Sequence, residues 1–94
     1  MKTTQEMETY FTEKLGHPKS DLWQLKKAIR ECRLTLKDRQ LNTERKIKAE
    51  EAIDTIGLEA FLSCISRAAY HATCSRESKD GRFSVSFNLL HWWK

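Results

Sequence analysis

The chain has 94 residues, with 17 lysines and arginines, 13 aspartates and glutamates, and three cysteines. This length predicts one domain over residues 1–94. No apolar run reaches the roughly 18 residues of a membrane span, and the N-terminus lacks the apolar segment of a secretory signal. Three cysteines are too few for a disulfide scaffold and leave at least one thiol unpaired, so we expect a cytoplasmic protein without membrane contact.

Helical periodicity predicts four helices, over residues 3–15, 21–36, 43–56 and about 58–75. Gly16-His17-Pro18 ends the first, and Gly57 separates the last two. The second has the clearest apolar seam, with steps of three and four residues: Leu22, Leu25, Ile29, Cys32 and Leu36. A seam of two heptads is typical of a helix in a small bundle.

In the C-terminal segment the spacing of apolar residues changes from a helical repeat to every second residue. Phe83, Val85, Phe87 and Leu89 alternate with polar residues, which predicts a strand over residues 83–89. A single strand cannot satisfy its own backbone groups, so we expect it to pair with a second copy of the chain or to pack as an extended arm. A short helix from Ser86 is the alternative. The predicted fold is therefore mostly α, a bundle of about four helices with a C-terminal extended arm.

Charge is concentrated in the middle of the chain. Residues 26–48 contain nine basic and three acidic residues, a net +6 in a chain of net +4. On a continuous second helix, four cations form one ridge beside the apolar seam, with a tryptophan at its edge: Lys26, Arg30, Arg33, Lys37 and Trp23. Such a ridge could dock an acidic protein surface or follow nucleic-acid phosphates. It could equally be a solvated helix flank.

Aromatic residues are concentrated at the C-terminus. Trp92 and Trp93 either close the core or anchor an interface, where tryptophan is enriched. Together with the strand they form a predicted interface anchor: Phe83, Val85, Phe87, Trp92 and Trp93.

A third group of candidate residues lies on one stripe of the fourth predicted helix: Cys64, Arg67, His71 and Cys74. A zinc site would need further ligands from Cys32, His91 or His17, and no C-x-x-C pair is present. A Cys74–His71 nucleophile lacks a glycine-rich turn for an oxyanion. We therefore expect the cysteines to be packing residues, with no metal, no cofactor and no catalysis. A helix-turn-helix around Gly57 is a weaker alternative, because the second helix begins apolar and acidic.

The small size, the absence of cofactor motifs and the segregated charge are similar to those of phage and plasmid accessory proteins that bind and block a host machine. The sequence predicts a non-catalytic inhibitor or adaptor, which docks an acidic partner through the ridge and the aromatic C-terminus and self-associates. The alternative is a regulatory protein that binds RNA or DNA through the same ridge.

Overall fold

A computed structural model describes residues 2–89 of the chain. Two helices precede a β-hairpin, and two more helices precede a second hairpin. The elements are α1 (Lys2–Thr9), continued by a π-helical turn (Tyr10–Lys14), a 3₁₀ turn (Lys19–Asp21), α2 (Leu22–Glu31), β1 (Arg33–Asp38), β2 (Thr43–Ile47), α3 (Ala49–Ile56), α4 (Leu58–His71), β3 (Thr73–Glu77) and β4 (Phe83–Asn88).

The four strands form one antiparallel sheet in the order β2-β1-β4-β3. The central pair, β1 and β4, joins the two hairpins, with Leu34 opposite Phe87 and Leu36 opposite Val85. These four side chains are buried with the helices. The sheet therefore has an inner face covered by the helices and an opposite face, and β2 and β3 are its two edges.

The predicted helical bundle is wrong, because the fold is mixed α/β with a four-stranded sheet. The second helix ends at Glu31, and Cys32 adopts an extended backbone. Beyond it, Leu34 and Leu36 alternate with exposed or half-buried residues as a strand requires. Cys32 and Leu36 fit both a helical spacing and a two-residue spacing, so the seam of α2 concealed the start of β1.

The third and fourth predicted helices are each partly strand. Residues 43–47 form β2, and α3 begins only at Ala49. The fourth helix ends at His71, where Ala72 takes a left-handed conformation with φ +67°, and the chain continues as β3. Strands β2 and β3 are sheet edges with exposed polar side chains, so neither has the apolar alternation that would have marked it.

The predicted C-terminal strand is confirmed as β4 over Phe83–Asn88, but it is not alone. It pairs with β1 on one side and with β3 on the other. The argument that an unpaired strand needs a second copy of the chain therefore no longer applies. Self-association itself stays a prediction.

Helix α4 lies at the centre of the core. Phe61, Leu62 and Ile65 on one face and Cys64 on another are all fully buried, as expected for a helix that is apolar on two sides. The Phe61 ring packs against Phe87 of β4, with 5.5 Å between ring centroids. The first helix also packs as predicted, with Met7 and Phe11 buried.

Cys64 is a core residue, as predicted, but it forms a disulfide with Cys74 of β3, which the sequence did not predict. The two Cα atoms are 5.7 Å apart, within the usual range for a disulfide. Cys32 remains a free thiol. Burial raises its pKa to about 11, and hydrogen bonding to the Asn88 backbone opposes this shift. A thiol of such high pKa is protonated and unreactive at neutral pH.

Candidate functional site

The sheet face opposite the helices is the most extensive polar surface that the strands build. Alternation along each strand assigns eleven residues to it, all exposed or half-buried. We call this set the outer sheet face: Arg33, Thr35, Lys37, Glu44, Lys46, Thr73, Ser75, Glu77, Ser84, Ser86 and Asn88. It contains no apolar residue.

The strand register places these side chains in three rows across β1, β4 and β3. The rows are Arg33–Asn88–Thr73, Thr35–Ser86–Ser75 and Lys37–Ser84–Glu77. On the other side of β1, Lys46 lies opposite Thr35 and Glu44 lies opposite Lys37. The result is a grid with hydroxyl groups at its centre and cations on the β1 and β2 side.

Most of the net positive charge of the chain lies in the β1–β2 hairpin. Residues 33–47 contain five basic and two acidic residues, a net +3 in a chain of net +4. Three of these cations belong to the outer sheet face: Arg33, Lys37 and Lys46. One of the two carboxylates on the face, Glu77, lies 2.6 Å from the Arg39 guanidinium. That ion pair reduces the repulsion that Glu77 would exert on an anionic ligand.

One end of the outer sheet face is fixed by hydrogen bonds between the tips of the two hairpins. Asp38, only 8% exposed, accepts hydrogen bonds from Arg82 Nε at 3.2 Å and Nη2 at 3.0 Å. Its Oδ1 also accepts the backbone N–H groups of Gln40 and Leu41 in the first turn. These bonds join the β1–β2 turn to the β3–β4 turn.

Arg39 strengthens the same junction. Its backbone N–H donates to the Arg82 carbonyl at 2.8 Å. Its guanidinium donates to the Gly81 carbonyl at 3.2 Å as well as to Glu77. Because Arg39 belongs to the first hairpin and its three partners belong to the second, the register of β1 against β4 is fixed next to the turns as well as by the core.

Both carboxylates in this network are stabilised as anions. The Arg82 hydrogen bonds lower the pKa of Asp38, and the turn N–H groups add to this effect against the opposing effect of burial. The Arg39 hydrogen bond lowers the pKa of Glu77 in the same way. At neutral pH the junction therefore contains two ionised Arg–carboxylate pairs.

The residues predicted to form one basic ridge lie on two different elements. Arg33 and Lys37 are exposed on β1, within the outer sheet face. Lys26 and Arg30 are exposed on α2, and the Lys26 ammonium lies 3.0 Å from the Glu8 carboxylate. Trp23, also on α2, is 58% exposed. A single continuous ridge is therefore not formed, because the helix ends between Arg30 and Arg33.

The predicted interface anchor is also divided. Val85 and Phe87 are buried in the core. Phe83 is half-buried, with the Arg82 guanidinium 4.9 Å from its ring centroid. Trp92 and Trp93 lie outside the described residues.

The structure does not assemble the predicted zinc ligands. Cys74 is bonded to Cys64, while His71 is exposed at the end of α4. Across residues 2–89, no group of three or more His, Cys, Asp or Glu side chains is placed to hold a metal ion. The disulfide also means that Cys74 has no thiolate for nucleophilic attack.

The structure contradicts the helix-turn-helix alternative, because the helix that would enter DNA is buried. Gly57 does join α3 to α4, with a positive φ of 90°. However, α4 would be the recognition helix, and its Phe61, Leu62 and Ile65 are fully buried. A helix at the centre of a core cannot enter a DNA groove.

A serine–histidine contact was not predicted. Ser66 Oγ of α4 lies 3.2 Å from His17 Nε2, and the His17 ring stacks on Phe11 with 4.2 Å between centroids. Ser66 is in the interior of α4, where backbone N–H groups are committed to helical hydrogen bonds. Without free N–H groups to stabilise an oxyanion, the contact attaches the loop after the π-helical turn to α4.

Sequence reasoning also missed the hydroxyl groups of the outer sheet face. The available signal was the polar half of the predicted C-terminal strand, namely Ser84, Ser86 and Asn88. Their alternation with apolar residues predicted a strand, but nothing in their spacing indicated a four-stranded sheet around it.

Comparison with protein-family models, curated proteins and solved structures finds no match for this chain. Among residues 2–89, no helix is long and apolar enough to cross a membrane.

Proposed function

We propose that this protein is a non-catalytic nucleic-acid-binding protein and that the outer sheet face is its binding surface. The observation that supports the proposal is the composition of this face, which combines three cations and five hydroxyl groups with no apolar residue. Cations and hydroxyls are the side chains that contact phosphate and sugar oxygens.

The polar composition favours nucleic acid over protein as the partner of this face. Protein interfaces have an apolar core in which aromatic residues are enriched and charged residues depleted. Protein–nucleic acid interfaces are more polar and more positively charged. On the outer sheet face, Arg33, Lys37 and Lys46 surround the central hydroxyls, in the arrangement expected for a polyanionic ligand.

The test compares two double charge reversals that change the net charge by the same amount. The first, Arg33→Glu with Lys37→Glu, alters the outer sheet face. The second, Lys26→Glu with Arg30→Glu, alters only α2. We expect the first variant to lose binding to DNA and RNA probes at low salt, and the second to retain most of it.

A salt series on the unaltered protein supplies a second measurement. Binding through phosphate contacts weakens steeply with salt, because each neutralised phosphate releases counterions. If no probe binds at low salt, or if only the α2 variant loses binding, the outer sheet face is not a nucleic-acid site.

A second candidate function is that of an inhibitor or adaptor that docks an acidic protein. Two exposed apolar side chains favour it, Trp23 on α2 and Leu41 at the tip of the first hairpin, with Leu41 64% exposed. Leu41 lies between Arg39 and Arg45, so an acidic partner could use it as an anchor. A pull-down from the source organism would support this function if it captures an acidic protein, if capture survives nuclease treatment, and if substitution of Leu41 abolishes it.

A cytoplasmic location also remains a proposal, and the disulfide offers a way to test it. Cytosolic reductants keep most thiols reduced, whereas oxidising compartments preserve disulfides. Thiol labelling in denaturant after a rapid acid quench of the cells should modify Cys32, Cys64 and Cys74 in a cytosolic protein, because unfolding exposes every free thiol. Labelling of Cys32 alone would place the protein in an oxidising compartment.

A further inference from the structure

We infer that the outer sheet face reads base edges in the major groove of duplex DNA, so that binding is sequence-selective. This inference rests on the proposed function and specifies its ligand. It depends on three features of the face: the hydrogen-bonding groups of β1 and β4, the spacing of their rows, and the side chains that flank them.

The central strand pair presents side chains that can discriminate between bases. Arg33 and Lys37 of β1 are of the types that donate to guanine O6 and N7. Thr35 of β1 and Ser86 of β4 lie opposite each other, and hydroxyls can donate to or accept from either base.

The row spacing matches the spacing of base pairs. Residues two apart on a strand are about 6.6–6.8 Å apart, which equals two base-pair steps of about 3.4 Å. The three rows, marked on β1 by Arg33, Thr35 and Lys37, therefore extend over about five consecutive base pairs. A face aligned along the groove could contact alternate base pairs without distortion of the duplex.

Because of the width of the sheet, the central and edge strands would contact different parts of the duplex. Neighbouring strands are about 4.8 Å apart, so two strands with their side chains fit a major groove about 12 Å wide, while four do not. The edge strands must then meet the groove walls. Lys46 of β2 and Ser75 of β3 lie at opposite ends of the Thr35–Ser86 row, where each can contact one phosphate backbone.

Two features favour duplex DNA over other nucleic acids. Binding to single strands relies on aromatic side chains that stack on bases, and the outer sheet face has none. Double-stranded RNA has a deep and narrow major groove that side chains cannot read. Of the common forms, B-form DNA is the one whose groove accommodates strands.

The experiment is an in vitro selection in which the full chain binds a pool of random-sequence DNA duplexes, followed by sequencing. We expect an enriched motif of about five base pairs. Competition with single-stranded DNA and with double-stranded RNA of matched length should displace the selected duplex poorly.

Three single substitutions then separate base reading from phosphate contact. Arg33→Ala should weaken binding to the selected motif about ten- to hundred-fold and remove the preference at one or two adjacent positions. Lys46→Ala should weaken all sequences equally and reduce the salt slope by about one. Lys79→Ala removes an exposed cation of the β3–β4 turn, outside the outer sheet face, and should change neither the motif nor the affinity by more than about two-fold.

The outcomes distinguish this inference from the proposed function. Tight binding to duplexes without an enriched motif would overturn base reading and leave nucleic-acid binding intact. Preference for single strands or RNA would also overturn it. A motif that survives Arg33→Ala unchanged would show that this face does not read the bases. An absence of binding to every probe would reject the proposed function itself.

Discussion

The two β-hairpins contribute different properties to the same sheet. The first, β1–β2, contains five basic residues, and its edge strand β2 is exposed except for the half-buried Ile47. The second, β3–β4, places Val85 and Phe87 in the core and adds serine and threonine hydroxyls to the outer sheet face. The first hairpin thus supplies most of the net charge, whereas both hairpins bury apolar side chains in the core.

The difference shows that stability and the proposed recognition are separable in this small domain, except where the hairpins meet. Strand β1 has both tasks, with Leu34 and Leu36 buried on one side and Arg33 and Lys37 exposed on the other. Substitutions on the inner side of the central pair should therefore affect folding, and those on the outer side should affect binding alone.

The largest effect is expected from Phe87→Ala in the second hairpin. Removal of a fully buried aromatic side chain that packs on Phe61 should lower the free energy of unfolding by about 3–5 kcal/mol. Lys46→Ala in the first hairpin is the control and should stay within about 0.5 kcal/mol. Urea denaturation measures both, and a similar loss in the two variants would contradict the separation of core packing from the outer sheet face.

The next effect concerns the disulfide, which attaches β3 of the second hairpin to α4. Reduction of the Cys64–Cys74 bond should lower the free energy of unfolding by about 2–4 kcal/mol, because the unfolded chain gains conformational freedom. Denaturation with and without dithiothreitol measures this loss. A Cys74→Ser variant should show no further response to the reductant, and any response it does show would point to Cys32 instead.

A smaller effect is expected on acidification, at the junction of the two hairpins. Hydrogen bonds from Arg82 hold the pKa of folded Asp38 below its ordinary value of 3.8, so the folded state takes up this proton less readily than the unfolded state. The stabilisation is complete above about pH 5 and is lost as the pH falls through the lowered pKa of Asp38. Thermal melts between pH 7 and pH 2 should show this decline.

Asp38→Asn provides the control for the acid melts. The variant should be less stable than the unaltered protein at pH 7, because the amide cannot accept both Arg82 hydrogen bonds. Its melting temperature should also fall less steeply on acidification. Parallel melting curves for the two proteins would show that other carboxylates cause the acid loss.

The smallest effect is expected within the first hairpin. Arg45 and Glu51 form an ion pair between β2 and α3, and their side chains are 60% and 40% exposed to solvent. Exposed pairs contribute little to stability and are screened by salt. Glu51→Gln should therefore leave the urea midpoint unchanged at 0.15 M salt, and a clear shift would show that the first hairpin depends on this contact.

The parts of the fold that the sequence revealed are those with one buried face. Met7 and Phe11 of the first helix, the apolar face of α4 and the alternation of β4 were all predicted correctly. Strands β2 and β3 are edges with little apolar pattern, so their residues read as continuations of neighbouring helices. Strand β1 was missed for a different reason, since Cys32 and Leu36 extend the helical spacing of α2.

The candidate site was predictable only in part. Arg33 and Lys37 were identified from charge, but their position depends on the backbone change at Cys32. The grouping of the hydroxyls could not be predicted, because Thr35, Ser75 and Ser86 become neighbours only through pairing of β1 with β4 and β4 with β3. Long-range pairing of this kind leaves little trace in local periodicity.

The order of the strands also affects the growing chain on the ribosome. Strand β1 ends at Asp38, whereas its partner β4 begins only at Phe83. At translation rates of about 5–20 residues per second, the first hairpin waits roughly 2–9 s for that partner. An isolated hairpin is marginally stable and leaves Leu34 and Leu36 uncovered during this time. Arg33, Lys37 and Lys46 repel other nascent hairpins, so the same charges that we assign to binding should also protect the protein from aggregation during synthesis.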